Sequence, residues 1–120
     1  VNYPDHCLIL GTQIGHFKMG YMAMCFEGFL FRLVDNPSVC HRLLEARTEW
    51  CLAMYQKAVS LGAEVVVLAD DSAHKGGPMI SHQMWREFIM PYHRRIVAAL
   101  EFPVIWHSDG NIDALLPKAI

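Results

Sequence analysis

The 120-residue sequence has no apolar run close to the 18 or so residues that a membrane-spanning helix needs, and no signal peptide opens it. It has no basic stripe: ten Lys and Arg face twelve Asp and Glu, a formal net charge of −2, with both signs spread along the chain. That balance leaves no electrostatic footprint for nucleic acid or an anionic membrane, so neither is an expected partner. The four cysteines, Cys7, Cys25, Cys40 and Cys51, fall in no CxxC spacing. They lie inside apolar patterns, which predicts buried, reduced thiols and a cytoplasmic location rather than a disulfide frame. Charge is scarce at 18%, and hydrophobic residues make up 53%, against about 25% and about 45–50% in ordinary domains. The skew implies segments covered on both faces, as in the middle of a larger α/β assembly. With no initiator Met at Val1 and a helix-like pattern still running at Ile120, the expectation is one partial domain over residues 1–120, truncated at both ends.

Three short apolar runs are present, each ending in Gly or polar residues: Cys7–Gly11, Val65–Ala69 before Asp70-Asp71, and Val104–Trp106 before His107-Ser108-Asp109-Gly110. Such runs read as buried parallel strands. Strands are predicted at 7–11, 64–70 and 103–107, with a loop over 12–19. Helices are predicted at 21–34, 37–61, 81–100 and 112–119. Asn36-Pro37 is a helix start, Gly62 a C-terminal stop, Ser81 an N-cap, and Pro91 should kink its helix. The expected core includes Ile9, Leu44, Met54, Val66, Leu68, Phe88, Ile96, Val104 and Ile105. Alternating strands and helices imply parallel strands with right-handed crossovers. Three strands cannot close a (β/α)₈ barrel; an open three-stranded layer is the alternative, but it would expose its edges and apolar helix faces, so the predicted fold is α/β, a partial TIM barrel.

In such a fold, chemistry belongs at the carboxyl ends of the strands. His107 and Asp109 stand two apart in an extended run, so both point to one face and could form half of a metal site or an acid/base pair. The plainer alternative is a core histidine and a helix-capping aspartate. Asp70 and Asp71 end the second strand and point to opposite faces, so only one can face a given cavity; the plainer alternative is a turn starter. Both Asp70 and Asp71 are carried as catalytic candidates, with His107. The stretch Ser72–Ile80, with Lys75-Gly76-Gly77, lacks phosphate-loop spacing and reads as a mobile connection and a candidate lid.

The series Gly62-Ala63-Glu64, Asp70-Asp71 with a Gly-bearing loop, Ile80-Ser81 opening a helix with Phe88 and Pro91, and His107-Ser108-Asp109-Gly110-Asn111 resembles the uroporphyrinogen decarboxylase superfamily. That superfamily includes corrinoid-dependent methyltransferases such as the methylcobamide:coenzyme M enzymes. The resemblance implies a TIM barrel, of which this chain would be about the middle third. It also implies an enzyme in the full-length protein, the isolated chain being inactive. In the methyltransferases a His-x-Cys-Gly strand end and a later Cys hold zinc, which activates a thiol. Here His107 and Gly110 match and Asp109 stands at the Cys position, making His107 and Asp109 the metal candidates and zinc the implied cofactor. Carboxylate can replace thiolate on zinc, but it makes the site harder.

The decarboxylases use no cofactor and rely on an amino-terminal Asp and Arg residues outside this sequence, together with a Tyr near which Tyr21 falls. Lys75 and Arg86 are the basic residues expected near the cavity, few for a substrate with many carboxylates. Metal-assisted methyl transfer is the leading reading, with a small-molecule, tetrapyrrole or corrinoid substrate and a corrinoid protein as partner. The alternatives are uroporphyrinogen decarboxylation in porphyrin biosynthesis and non-catalytic binding of a corrinoid (cobalamin-type) or tetrapyrrole.

Overall fold

The computed structural model describes residues 5–116. Three parallel strands, β1 (Ile9–Thr12), β2 (Val65–Ala69) and β3 (Val104–His107), lie in that order across one sheet. Ile9 pairs with Val65 and Ala69 with His107, so the strand ends stay level. Between β1 and β2 run α1 (His16–Met24), α2 (Phe26–Asp35) and the long α3 (Pro37–Ser60). After β2 come α4 (His82–Phe88) and α5 (Met90–Ala99), which lead into β3. The fold is α/β, with parallel strands alternating with helices, as the sequence pattern predicts.

Local chemistry explains most of the breaks. Pro37 opens α3, and Gly62 at φ +100° stops it, with Leu61 N donating to Ala58 O and Gly62 N to Val59 O. Ser81 Oγ accepts from Met84 N at 3.2 Å and caps α4. Asn36 does not cap α3 through its side chain; its Oδ1 accepts the Ser38 hydroxyl instead. Pro91 divides the helix predicted over 81–100 into α4 and α5, because it brings no N–H to the ladder.

Other expectations are corrected. The helix predicted over 21–34 is two helices broken at Cys25, whose φ is +60°, and the first begins at His16, inside the predicted loop. The segment read as a mobile connection contains a two-stranded antiparallel ribbon, Ala73–His74 against Gly77–Pro78. Asn111 N donates to His74 O and Ser72 N to Ser108 Oγ, which ties that segment to the exit of β3. Cys40 and Cys51 are buried, but Cys7 and Cys25 are exposed; all four are free thiols. The helix predicted over 112–119 falls partly outside the described residues; within them, Leu115 and Leu116 N–H donate to Ile112 O.

The sheet buries one face. Val66 and Leu68 are buried against α3 and α5 with Cys51, Tyr55 and Ile96, and Val104 packs at the edge of this cluster. A second cluster joins Phe17, Phe29, Leu44, Trp85 and Phe88. The other sheet face is open: Ile9 is 52% and Ile105 49% exposed, contrary to their expected core positions, and Met54 and Val104 are only partly buried. Alternation along a strand puts Ile9 and Ile105 on the face away from the helices. In a parallel sheet that face is normally covered too. Among the described residues, no helix is long and apolar enough to cross a membrane.

Candidate active site at the strand ends

The open face of the sheet ends in a cleft of about 460 Å³. Ile9, Gly11, Val67 and Ala69 form its floor, and Thr12, Gln13, Lys18, Asp71, His107 and Asp109 surround its polar end. Extended alternation explains the selection: residues 67, 69 and 71 point one way, as do 105, 107 and 109.

Asp71, His107 and Asp109 each offer a ligand atom, and these atoms lie within 4.8 Å of one another. His107 Nε2 is 3.6 Å from Asp109 Oδ1, and both side chains are more than half exposed. Asp71 is the better held: Oδ2 accepts Lys18 Nζ at 2.9 Å, and Oδ1 accepts the Asp109 backbone N–H at 3.1 Å. Partial burial pushes the Asp71 carboxyl up, but the hydrogen bonds from Lys18 and Asp109 outweigh it and hold it below its ordinary value. Lys18 is raised, chiefly by its hydrogen bond to Asp71.

Asp70 points the other way, fully buried between sheet and helices. Its Oδ2 accepts Phe17 N and its Oδ1 accepts Lys18 N, both at 3.0 Å, so a carboxylate holds the first turn of α1. Its Oδ2 also lies 2.8 Å from His93 Nε2. Burial opposes ionisation of Asp70, yet His93 and the two backbone donors outweigh it and the pKa is lowered. Gly15 is required by this arrangement, because a Cβ there would lie 2.1 Å from Asp70 Cβ. Asp70 thus reaches the cleft only through Lys18, whose backbone it fixes.

The structure therefore brings Asp71, His107 and Asp109 together and sets Asp70 behind the sheet. Tyr21 lies one turn beyond Lys18, with its ring against Phe17 and Phe26 at 5.5 and 5.9 Å between centroids. Burial raises its phenol. Lys75 and Arg86 are exposed, and neither lines this cleft; among the described residues, Lys18 is the cation that does. Sequence reading missed Lys18 because the helix bearing it starts without a capping side chain of its own. The available signal was Gly15, a residue that permits close backbone approach just before an apolar-periodic stretch.

Residues 3–119 match the family described as Uroporphyrinogen decarboxylase (URO-D). The chain belongs to that family. Among URO-D relatives it is similar to the methylated-thiol–coenzyme M methyltransferase of Methanosarcina mazei, 34% identical over 82 residues, which are 68% of this chain and 22% of that protein. It is also 32% identical over 86 residues to the uroporphyrinogen decarboxylase of Cellvibrio japonicus, covering 66% of this chain and 23% of that one. The chain thus spans less than a quarter of the curated relatives it matches. A solved methyltransferase from Methanosarcina mazei superposes with a TM-score of 0.82 over 95% of this chain and 33% of its own, at 19% identity. That likeness carries the fold, a section of the URO-D TIM barrel.

Proposed function

We propose that the protein containing this chain is a URO-D family enzyme of the methyltransferase-like branch, transferring a methyl group to a thiol-type acceptor. The observation that carries this reading is the convergence of Asp71, His107 and Asp109 at one cleft mouth. One imidazole and two carboxylates, side by side and partly solvent-exposed, suit a zinc-class ion that keeps a position open for substrate. His107 and Asp109 would hold it, with Asp71 as the third donor, and a zinc ion bound there would lower the pKa of a coordinated thiol. Lys18 keeps Asp71 ionised, and the Asp109 backbone N–H on Asp71 fixes the spacing of the two carboxylates. Similarity to the methylated-thiol–coenzyme M methyltransferase supports the branch.

Uroporphyrinogen decarboxylation is the second reading, supported by similarity to the Cellvibrio japonicus enzyme. The cleft works against it: two carboxylates face the space a polyanionic substrate would enter, and the cation there is already paired. The deciding experiment measures zinc content and both turnovers in the full-length protein and its His107→Ala variant. Loss of one zinc per chain together with at least about a hundredfold loss of methyl transfer, with the fold intact, supports the proposal. A metal-free wild type that decarboxylates a porphyrinogen overturns it in favour of the second reading.

A further inference from the structure

Behind the sheet, on the side away from the cleft, Asp70 gathers a second group of donors. His16, Asp70 and His93 are 0%, 0% and 8% exposed, and each offers a ligand atom within 4.8 Å of the others. They come from three elements: the start of α1, the end of β2 and the middle of α5.

Hydrogen bonding fixes the tautomer of His16. Thr48 Oγ1 donates its single proton to Leu44 O at 2.8 Å, so toward His16 Nε2, 2.9 Å away, it acts as acceptor. Nε2 therefore carries the ring proton, and Nδ1 keeps a bare lone pair. That Nδ1 is buried with no hydrogen-bond partner. A buried acceptor without a partner is costly, and folded proteins keep few of them. A neutral imidazole whose far N–H is held by a side-chain oxygen is in the state that enters a metal's coordination shell. Asp70 Oδ2 and His93 Nε2, 2.8 Å apart, share a proton that a cation can replace.

We propose that His16 Nδ1, Asp70 Oδ2 and His93 Nε2 form a second metal site, buried between sheet and helices, that takes a divalent ion of the zinc class. Two imidazoles and one carboxylate select such an ion over magnesium or calcium, which prefer all-oxygen shells. On binding, His93 Nε2 gives up its proton, to solvent from an imidazolium or to Nδ1 of a neutral ring, and no electron moves. His93, 8% exposed, borders a groove lined by Leu68, Trp85, Arg94 and Trp106. Bound there, the ion cross-links β2 to α1 and α5, and α1 is the helix that carries Lys18 into the cleft.

The test titrates the full-length His107→Ala protein with Co²⁺, following visible absorption and equilibrium dialysis, so that the cleft has lost its imidazole. One Co²⁺ per chain with a tetrahedral or five-coordinate spectrum is expected. His16→Gln and His93→Gln in that background should each weaken binding at least tenfold, with the far-UV circular dichroism unchanged. Should either fail to fold, Thr48→Val keeps all three ligands and removes the acceptor that orients His16; it should lose about 10–100-fold in affinity. The proposal is overturned if the His107→Ala protein binds no Co²⁺, or if its affinity is indifferent to the substitutions that fold. Comparing wild type with His107→Ala reads the cleft separately, so either site can fail without the other.

Discussion

Two adjacent aspartates point to opposite sides of the sheet. Asp70 is fully buried behind the sheet and Asp71 lines the cleft, because consecutive residues of an extended chain point to opposite faces. Asp71→Asn should keep the hydrogen bond from the Asp109 N–H and lose the ion pair with Lys18. We expect metal retention at the cleft to fall at least about tenfold, read by dialysis, with stability changed by less than about 1 kcal/mol, since the pair is partly solvated. His16 makes a pH prediction. Its folded pKa, about 3, lies below the ordinary 6.5. Between those values the unfolded chain binds a proton that the folded chain does not, so stability falls as pH drops from 6.5 toward 3. With a chelator present, lowering the pH from 6.5 to 5 should cost about 1.6 kcal/mol in denaturant unfolding, and His16→Gln should flatten that slope.

At the scale of elements, α1 and α2 meet through a glycine. A Cβ on Gly20 would sit 2.3 Å from the ring of Phe29, a residue with no exposed surface. Ala gains about 1 kcal/mol over Gly in a helix interior, but forcing a buried ring aside costs about 1–3 kcal/mol. Gly20→Ala is therefore expected to destabilise. Gly28 in α2 has nothing within 4 Å of such a Cβ, so Gly28→Ala should stabilise by about 0.5–1 kcal/mol. Opposite shifts in thermal midpoint for the two variants test the packing; shifts of the same sign would contradict it. Gly110, at φ +81°, would bring a Cβ to 2.6 Å from His74 O, so the exit of β3 needs glycine for both conformation and space.

At the scale of the whole molecule, the sheet has one face packed and one open. Ile9 and Ile105 stand half-exposed on that open face beside Val67 and Ala69. Parallel sheets are ordinarily buried on both sides, so residues 1–120 expressed alone should hide this face by self-association. Sedimentation should show concentration-dependent oligomers, and the Ile9→Lys, Ile105→Lys double variant should be largely monomeric. A monomeric unmodified chain would contradict this.

The sequence alone determined the parallel strands, the long α3 and a bend in the helix that carries Pro91. These depend on local signals: apolar runs, a Pro at a helix start, a Gly at a helix end, a missing backbone donor. His107, Asp109 and one of the two aspartates were legible as a strand-end group for the same reason, since alternation is a property of the backbone. Which aspartate enters the cleft depended on which sheet face the helices cover, and only tertiary packing decided that. It also decided that Ile9 and Ile105 lie open rather than in the core, because apolarity does not say which of two faces has a partner. Lys18 and the group of His16, Asp70 and His93 were invisible for a related reason. The members of that group lie up to 77 positions apart in the chain, and only the packing of α1 and α5 against the end of β2 brings their ligand atoms within 4.8 Å of one another.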